Sequence, residues 1–242
     1  MAGIAGAETA PQGPHVPVSE RIYGDMRQQI IRCHIAPGDT LDAAAIARRY
    51  QVSKTPVRDA MQKLAADGFV AILPRSGYRV APITFQAVHE VLDLRAAIGP
   101  HIARQAARHA TPAEIATLRE IVTAYGAPMD IGEMQQVARR FHMTIARCSR
   151  NRRLIVLNDT LFDELERLVR FAIDFTVKAG EHSDEHTALV DAIEAGDGDR
   201  AAAIEAAHIS GSRAFLLERL ITLGYLSEHE IRLDPPEAEA SR

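Results

Sequence analysis

The stretch LDAAAIARRYQVSKTPVRDAMQKL, residues 41–64, reads as two short helices with a tight turn between them. Asp42 stands where an N-cap belongs, and the Ala43-Ala44-Ala45-Ile46-Ala47 body is small enough for a second helix to pack closely against it. Gln51-Val52 interrupts the pattern. Ser53 or Thr55 caps the second helix, and Thr55 is the attractive choice because Pro56 then takes the first helical position, where its missing N–H costs nothing. Val57, Met61 and Leu64 fall at i, i+4 and i+7 and face inward, which turns Lys54, Thr55, Arg58 and Gln62 outward at or near the helix N-terminus. Free N–H groups and a positive dipole at that end suit a phosphate, and Arg58 can reach base edges such as guanine O6 and N7. An ordinary helical hairpin with a solvated basic face produces the same pattern, so the next residues decide.

Asp67-Gly68 ends the second helix, residues 69–73 are apolar and partly β-branched, Pro74-Arg75-Ser76-Gly77 is a turn, and Tyr78-Arg79-Val80 returns. A β-hairpin with arginine at its tip, directly after a reading helix, is a wing, and Arg75 and Arg79 are placed to grip the backbone or minor groove. The run Pro37-Gly38-Asp39-Thr40-Leu41, then residues 52–60, then Leu64, Asp67-Gly68-Phe69-Val70 and Arg75-Ser76-Gly77-Tyr78-Arg79-Val80 resembles the winged helix-turn-helix domain of GntR-family transcription regulators. The resemblance covers about sixty residues. It implies duplex DNA as partner, with Ser53, Lys54, Thr55, Arg58, Gln62, Arg75, Ser76, Gly77 and Arg79 at the interface. Some members also touch DNA with an arginine on the first helix of the pair, and here the matching position is Ala44.

Charge divides the chain as the motif does. Residues 17–82 hold ten Lys and Arg against six Asp and Glu, a balance of +4, whereas residues 83–242 hold 18 against 25, a balance of −7. A basic module joined to an acidic one fits nucleic acid on one side and something else on the other. Cys33 and Cys148 are the only cysteines, without a CxxC, and both fall on apolar faces of predicted helices, which predicts buried free thiols in a reducing cytoplasm. Residues 1–16 read as a flexible tail without a signal peptide, and no stretch approaches the ~20 apolar residues of a membrane span.

The reading in chain order is a mainly α protein: a tail to 16, a winged domain over 17–82, an antiparallel helical bundle over 83–227 for effector binding and dimerisation, and a loose tail over 228–242. Ser19 is expected to cap the first helix. A bundle helix starts at Thr84 and should kink at Gly99-Pro100 before running on to His109. Thr111-Pro112-Ala113-Glu114 and Asp130-Ile131-Gly132-Glu133 are capping boxes. The longest helix follows Asn151 and reaches Phe175 before Gly180, a short one runs from Ser183 to Ala195, and a last one runs from Asp199 to Leu223, capped by Gly224.

Phe141-His142 with Asn151, Glu185-His186 leading to Ala192-Ile193 and Gly196-Asp197, then His208, resemble the all-helical C-terminal domain of FadR-type members, the FCD domain, in a six-helix form. His142, His186 and His208 each align with apolar residues of a different helix and so point into the bundle. Spacing alone allows three separately hydrogen-bonded core histidines, or a cation that takes their lone pairs. The resemblance implies a divalent metal on these three, plus an aspartate one turn before the first, where this chain has Ala138. Three imidazoles still suffice for Zn²⁺ or Ni²⁺, with an organic acid completing the coordination. Arg95 resembles an arginine that faces the effector cavity and suits a bidentate carboxylate, although an exposed helix arginine gives the same pattern; four residues later, where relatives often carry glutamate, stands Gly99.

The expected function is a homodimeric repressor of a short pseudo-palindromic operator, its DNA affinity set by an organic acid in the bundle. Two other classes stand beside it. A three-histidine zinc hydrolase would leave the winged domain without a role, and no acidic residue is visibly placed as a general base beside the histidines. An architectural DNA-binding protein would not need an inward polar cluster.

Overall fold

The computed structural model describes residues 16–74, 77–125, 129–172 and 183–222. They cluster into two compact units, one within residues 16–81 and one within 82–222, with Ile31–Cys33 counted in the second.

The first unit contains α1 (Val18–Ile31), β1 (Thr40–Leu41), α2 (Ala43–Tyr50), α3 (Lys54–Ala66), β2 (Val70–Leu73) and β3 (Gly77–Val80). α1 starts at Val18, two residues earlier than Ser19 would allow as a cap. The Pro17 carbonyl accepts from the N–H groups of Glu20 at 3.0 Å and Arg21 at 3.2 Å, which leaves Ser19 inside the first turn. Ile22, Met26 and Ile30 form its buried stripe. At α2 the Asp42 carboxylate accepts from the N–H groups of Ala44 at 2.8 Å and Ala45 at 3.2 Å, as a capping aspartate should. Gln51 then turns the chain with φ +56°, and α3 follows.

The cap of α3 differs from expectation. Ser53 holds the N-cap position, Lys54 is already helical, and Thr55 is therefore a first-turn residue rather than the cap. Pro56 is third in the helix, where the backbone N–H still lacks an intrahelical acceptor, so proline remains tolerated there. Val57, Ala60, Met61 and Leu64 are completely buried.

The sheet order is β1-β3-β2, antiparallel throughout, with Val70 opposite Val80 and Leu73 opposite Gly77. The two-residue β1 was not foreseen; it pairs Thr40 with Arg79 and Leu41 with Tyr78. Gly77 is required at this junction. Its φ is +92°, and a Cβ there would lie 3.0 Å from the Leu41 carbonyl oxygen. Arg75 and Ser76 lie outside the described residues.

The second unit contains α4 (Phe85–His109), α5 (Pro112–Ala124), α6 (Ile131–Cys148), α7 (Arg152–Ala172), α8 (Ser183–Glu194) and α9 (Gly198–Thr222). The Thr84 hydroxyl caps α4, and both expected capping boxes form, Thr111 with Glu114 on α5 and Asp130 with Glu133 on α6. α4 continues as one helix through Gly99 and Pro100. It packs along α9, while α5 meets α6 and α8, and α6 meets α7. Among the described residues α4 and α9 span 25 residues each, and α7, expected to be the longest, is described over 21, its expected end at Phe175 lying outside them. The predicted features at Phe175, Gly180 and Gly224 fall outside the described residues. Apolar packing gathers around Leu118, Ile121, Phe141, Leu189 and Ile193 at one place, and around Val88, Leu92, Leu161, Leu168 and Leu220 at another. Cys148 is buried at the end of α6, but Cys33 is only partly buried and lies past α1 with φ +53°, off any helix face; both thiols are free.

Two predictions follow from the caps. Because Asp42 accepts two backbone N–H groups and the Ser53 hydroxyl accepts none, Asp42→Ala should cost about 1 kcal/mol in urea unfolding and Ser53→Ala should cost far less. Arg150 donates to both Glu114 oxygens, at 2.8 and 2.6 Å, and holds that carboxyl at about 2. A carboxyl depressed on folding stabilises above its unfolded value of about 4.3 and loses that contribution as pH falls toward 2. Glu114→Gln should therefore flatten part of the acid limb of a stability-versus-pH curve.

Candidate functional site

The first candidate surface is the start of α3. The fully buried stripe fixes the rotation of the helix, and Ser53, Lys54, Thr55, Arg58 and Gln62 are all exposed as a consequence. Lys54, Arg58 and Gln62 are spaced one turn apart, so they rise along one face from the N-terminus. Ser53 makes no side-chain cap bond, which leaves first-turn N–H groups for an outside acceptor. Arg79 is exposed on β3, and Gly77 opens that strand. Ala44 is partly buried on α2 and offers a methyl group only.

The second is a cavity of about 130 Å³ inside the helical unit. His142 from α6, His186 from α8 and His208 from α9 reach it and are buried, at 7, 3 and 7% exposure. Their ring centroids are 5.4 Å apart for His142 and His186, 5.3 Å for His142 and His208, and 4.8 Å for His186 and His208. One nitrogen from each lies within 4.8 Å of the other two. Arg95 from α4 joins the wall, buried rather than exposed, with its guanidinium 4.8 Å above the Phe162 ring. Burial lowers its proton affinity and Glu205 opposes that effect, so a buried cation faces the cavity.

These residues fit a metal. Tetrahedral Zn²⁺ at about 2.0–2.1 Å from each nitrogen sets the nitrogens about 3.4 Å apart, which small ring rotations reach from the observed spacing. The Glu185 carboxylate is 2.7 Å from His208 Nδ1. With a proton on Nδ1, that contact leaves Nε2 as the lone-pair nitrogen, as a metal ligand needs. The wall also fits a small polar ligand. Tyr125 Oη and Gln135 Oε1 are buried and have no hydrogen-bond partner among the described residues, and burial pushes the Tyr125 hydroxyl pKa up. Arg139 lines the cavity too but is engaged by Asp159 and by Asp163 at 2.8 Å.

One sequence expectation is overturned here. Acidic residues do stand beside the histidines: Glu185 at His208, and the buried Glu205, whose Oε1 is 3.7 Å from His142 Nδ1. Glu205 lies three residues before His208 on α9, one turn along the same face, which was the available signal. Tyr125, Gln135 and Phe162 were also missed as wall residues, because helix periodicity marks them only as inward. Ala138 lies on the wall one turn before His142.

Residues 18–80 match the family model of bacterial regulatory proteins of the gntR family, and residues 90–211 match that of the FCD domain. The HTH-type transcriptional repressor RspR of Escherichia coli is 36% identical over 107 residues, covering 44% of this chain and 47% of that protein, so the chain spans about half the length of this relative. The Nta operon transcriptional regulator of Aminobacter aminovorans is 28% identical over 180 residues, 73% of this chain and 83% of that one. Among solved structures, a GntR transcriptional regulator from Rhodococcus sp. RHA1 superposes with a TM-score of 0.69 at 20% identity, covering 83% of this chain and 97% of that one. Escherichia coli McbR/YncC gives 0.68 at 19%, covering 85% and 99%. No described helix is long and apolar enough to cross a membrane. The chain belongs to the GntR family of bacterial regulatory proteins, with an FCD domain following its winged helix-turn-helix in sequence.

Proposed function

We propose that the protein is a cytoplasmic, homodimeric repressor whose operator affinity is set by a small organic acid bound, together with a divalent metal, in the helical domain. The observation that carries the reading is the convergence of three buried imidazoles and a buried arginine on one cavity. In this reading residues 17–82 are the DNA-binding domain and residues 83–227 the effector-binding and dimerisation domain. RspR, named a repressor, supports repression as the sign of regulation.

At the DNA, the first turn of α3 meets a phosphate through its N–H groups and Lys54, with Ser53 and Thr55 adding hydroxyl contacts. Arg58 and Gln62 reach base edges in the major groove, and Arg79, with Arg75, Ser76 and Gly77 of the hairpin, follows the backbone or minor groove. Two protomers on a two-fold axis then require two half-sites in inverted repeat.

In the helical domain His142, His186 and His208 hold Zn²⁺ or Ni²⁺ as neutral imidazoles, and the bound ion supplies a Lewis-acid position for a carboxylate. Arg95 takes a carboxylate of the same ligand with its two-pronged guanidinium. Tyr125 and Gln135 supply a donor and an acceptor to the rest of the molecule. The small volume and the apolar wall of Phe162, Leu165, Val169 and Phe215 limit the ligand to a compact acid. Ligand that prefers one conformation of the domain shifts DNA affinity by the same factor as DNA shifts ligand affinity.

Arg58→Ala should weaken specific operator binding by about 1–3 kcal/mol in a gel-shift or anisotropy titration, without moving the thermal unfolding temperature. Unchanged affinity would remove Arg58 from base reading. In a thermal-shift screen of small carboxylates, the stabilisation should require added Zn²⁺ or Ni²⁺ and should disappear in His186→Ala, which still binds DNA. Stabilisation equal with and without metal would separate the acid from the histidines.

A further inference from the structure

Glu205 is a buried carboxylate that the DNA-binding and ligand-binding roles above do not use. It is 6% exposed on α9, its Oε1 lies 3.7 Å from His142 Nδ1, and its Oε2 is buried without a hydrogen-bond partner among the described residues. It does not line the cavity that the three histidines share, so it stands behind His142 rather than among the ligand atoms. Its charge also reaches Arg95.

A carboxylate in such a place is costly unless something positive is near it. Gly99 of α4 faces this side chain: a Cβ there would lie in ordinary contact, 3.4 Å from both Glu205 Cγ and Oε1, but would clash with Ile209 Cδ1 at 2.5 Å, so the bare glycine lets α9, which carries Glu205, approach α4 at this point. On the other side, position 138 lies one turn before His142 and on the cavity wall, yet contributes only a methyl. The three imidazoles are neutral when they offer lone pairs, so no atom of the ligand set on these residues carries negative charge.

We propose that Glu205 is the positioning residue of the metal site: it accepts the Nδ1–H of His142, leaves Nε2 to the ion, and supplies from behind the ligand shell the negative charge that Ala138 does not. This rests on the metal reading of the cavity. The present 3.7 Å closes to a hydrogen bond by rotation of one ring or one carboxylate. Glu185 does the same for His208 at 2.7 Å, so two of the three histidines are backed by carboxylates. Beside Arg95 the same charge also keeps the guanidinium from facing a divalent ion uncompensated.

The test uses full-length protein, Zn²⁺ alone, and competition against a chromogenic chelator. Wild type should bind one equivalent. Glu205→Gln, which keeps shape and an acceptor but loses the charge, should bind about 10–100-fold more weakly with unchanged operator binding and thermal unfolding of the metal-free form. Ala138→Asp should strengthen binding more in that variant than in wild type, because there it returns the missing negative charge to the face of His142; a purely structural role for Glu205 predicts the same gain in both backgrounds. The visible absorption of the Co²⁺ form should change in Glu205→Gln and change again when Ala138→Asp is added. Equal affinity in wild type and Glu205→Gln, or an Ala138→Asp gain that is the same in both backgrounds, overturns the proposal while the metal reading stands. A wild type that binds no Zn²⁺ removes the metal reading and this proposal with it.

Discussion

Three imidazoles cannot be placed in the middle of a helical bundle without something to occupy their nitrogens, and this constraint organises the C-terminal half of the protein. His142, His186 and His208 come from three helices, and each is buried to within a few per cent. Their convergence depends on α6, α8 and α9 being held in register, which the apolar cluster around Phe141, Leu189 and Ile193 provides. Tyr125 and Phe141 pack directly on His186, with ring centroids 4.7 and 4.4 Å away. The polar centre is therefore seated in a rigid apolar frame, where electrostatic interactions are less screened than at the surface.

The winged unit follows a simpler rule. Four fully buried residues on α3 decide which way that helix is rotated, and the exposed basic face follows from their position. The two units differ in where their functional charge lies: the winged unit presents its basic residues outward, while the helical unit carries a buried polar centre. The ligand-responsive regulator proposed here would use both, since DNA offers a dense line of phosphates at a surface and a small acid is best recognised where water is excluded.

What could be read in advance follows from how local each signal is. Asp42, Thr111 with Glu114, and Asp130 with Glu133 are caps set by residues within one turn, and they formed as read. Ser53 and Thr55 are both good caps two residues apart, so the choice between them depended on where α3 docks. β1 is too short to show a period of two and exists because β3 passes beside it. Ser19 looked like a cap, but the Pro17 carbonyl, already in place, began the helix sooner. The three histidines were legible as inward residues, and the family resemblance supplied their grouping. Glu205 was legible only by its place one turn before His208; in the run Ala201-Ala202-Ala203-Ile204-Glu205-Ala206-Ala207 a lone glutamate otherwise reads as solvated, and the close approach of α4 and α9 that Gly99 permits is set by residues distant in sequence.

The central claim is that the imidazole cluster is a metal site and not a set of independent core histidines. The most direct test is anomalous diffraction at the zinc and nickel edges from crystals of protein purified without chelator. The account predicts one peak bounded by His142, His186 and His208, with ligand density reaching toward Arg95. Crystals with no anomalous peak there, and with each imidazole hydrogen-bonded separately to protein or water, would contradict it.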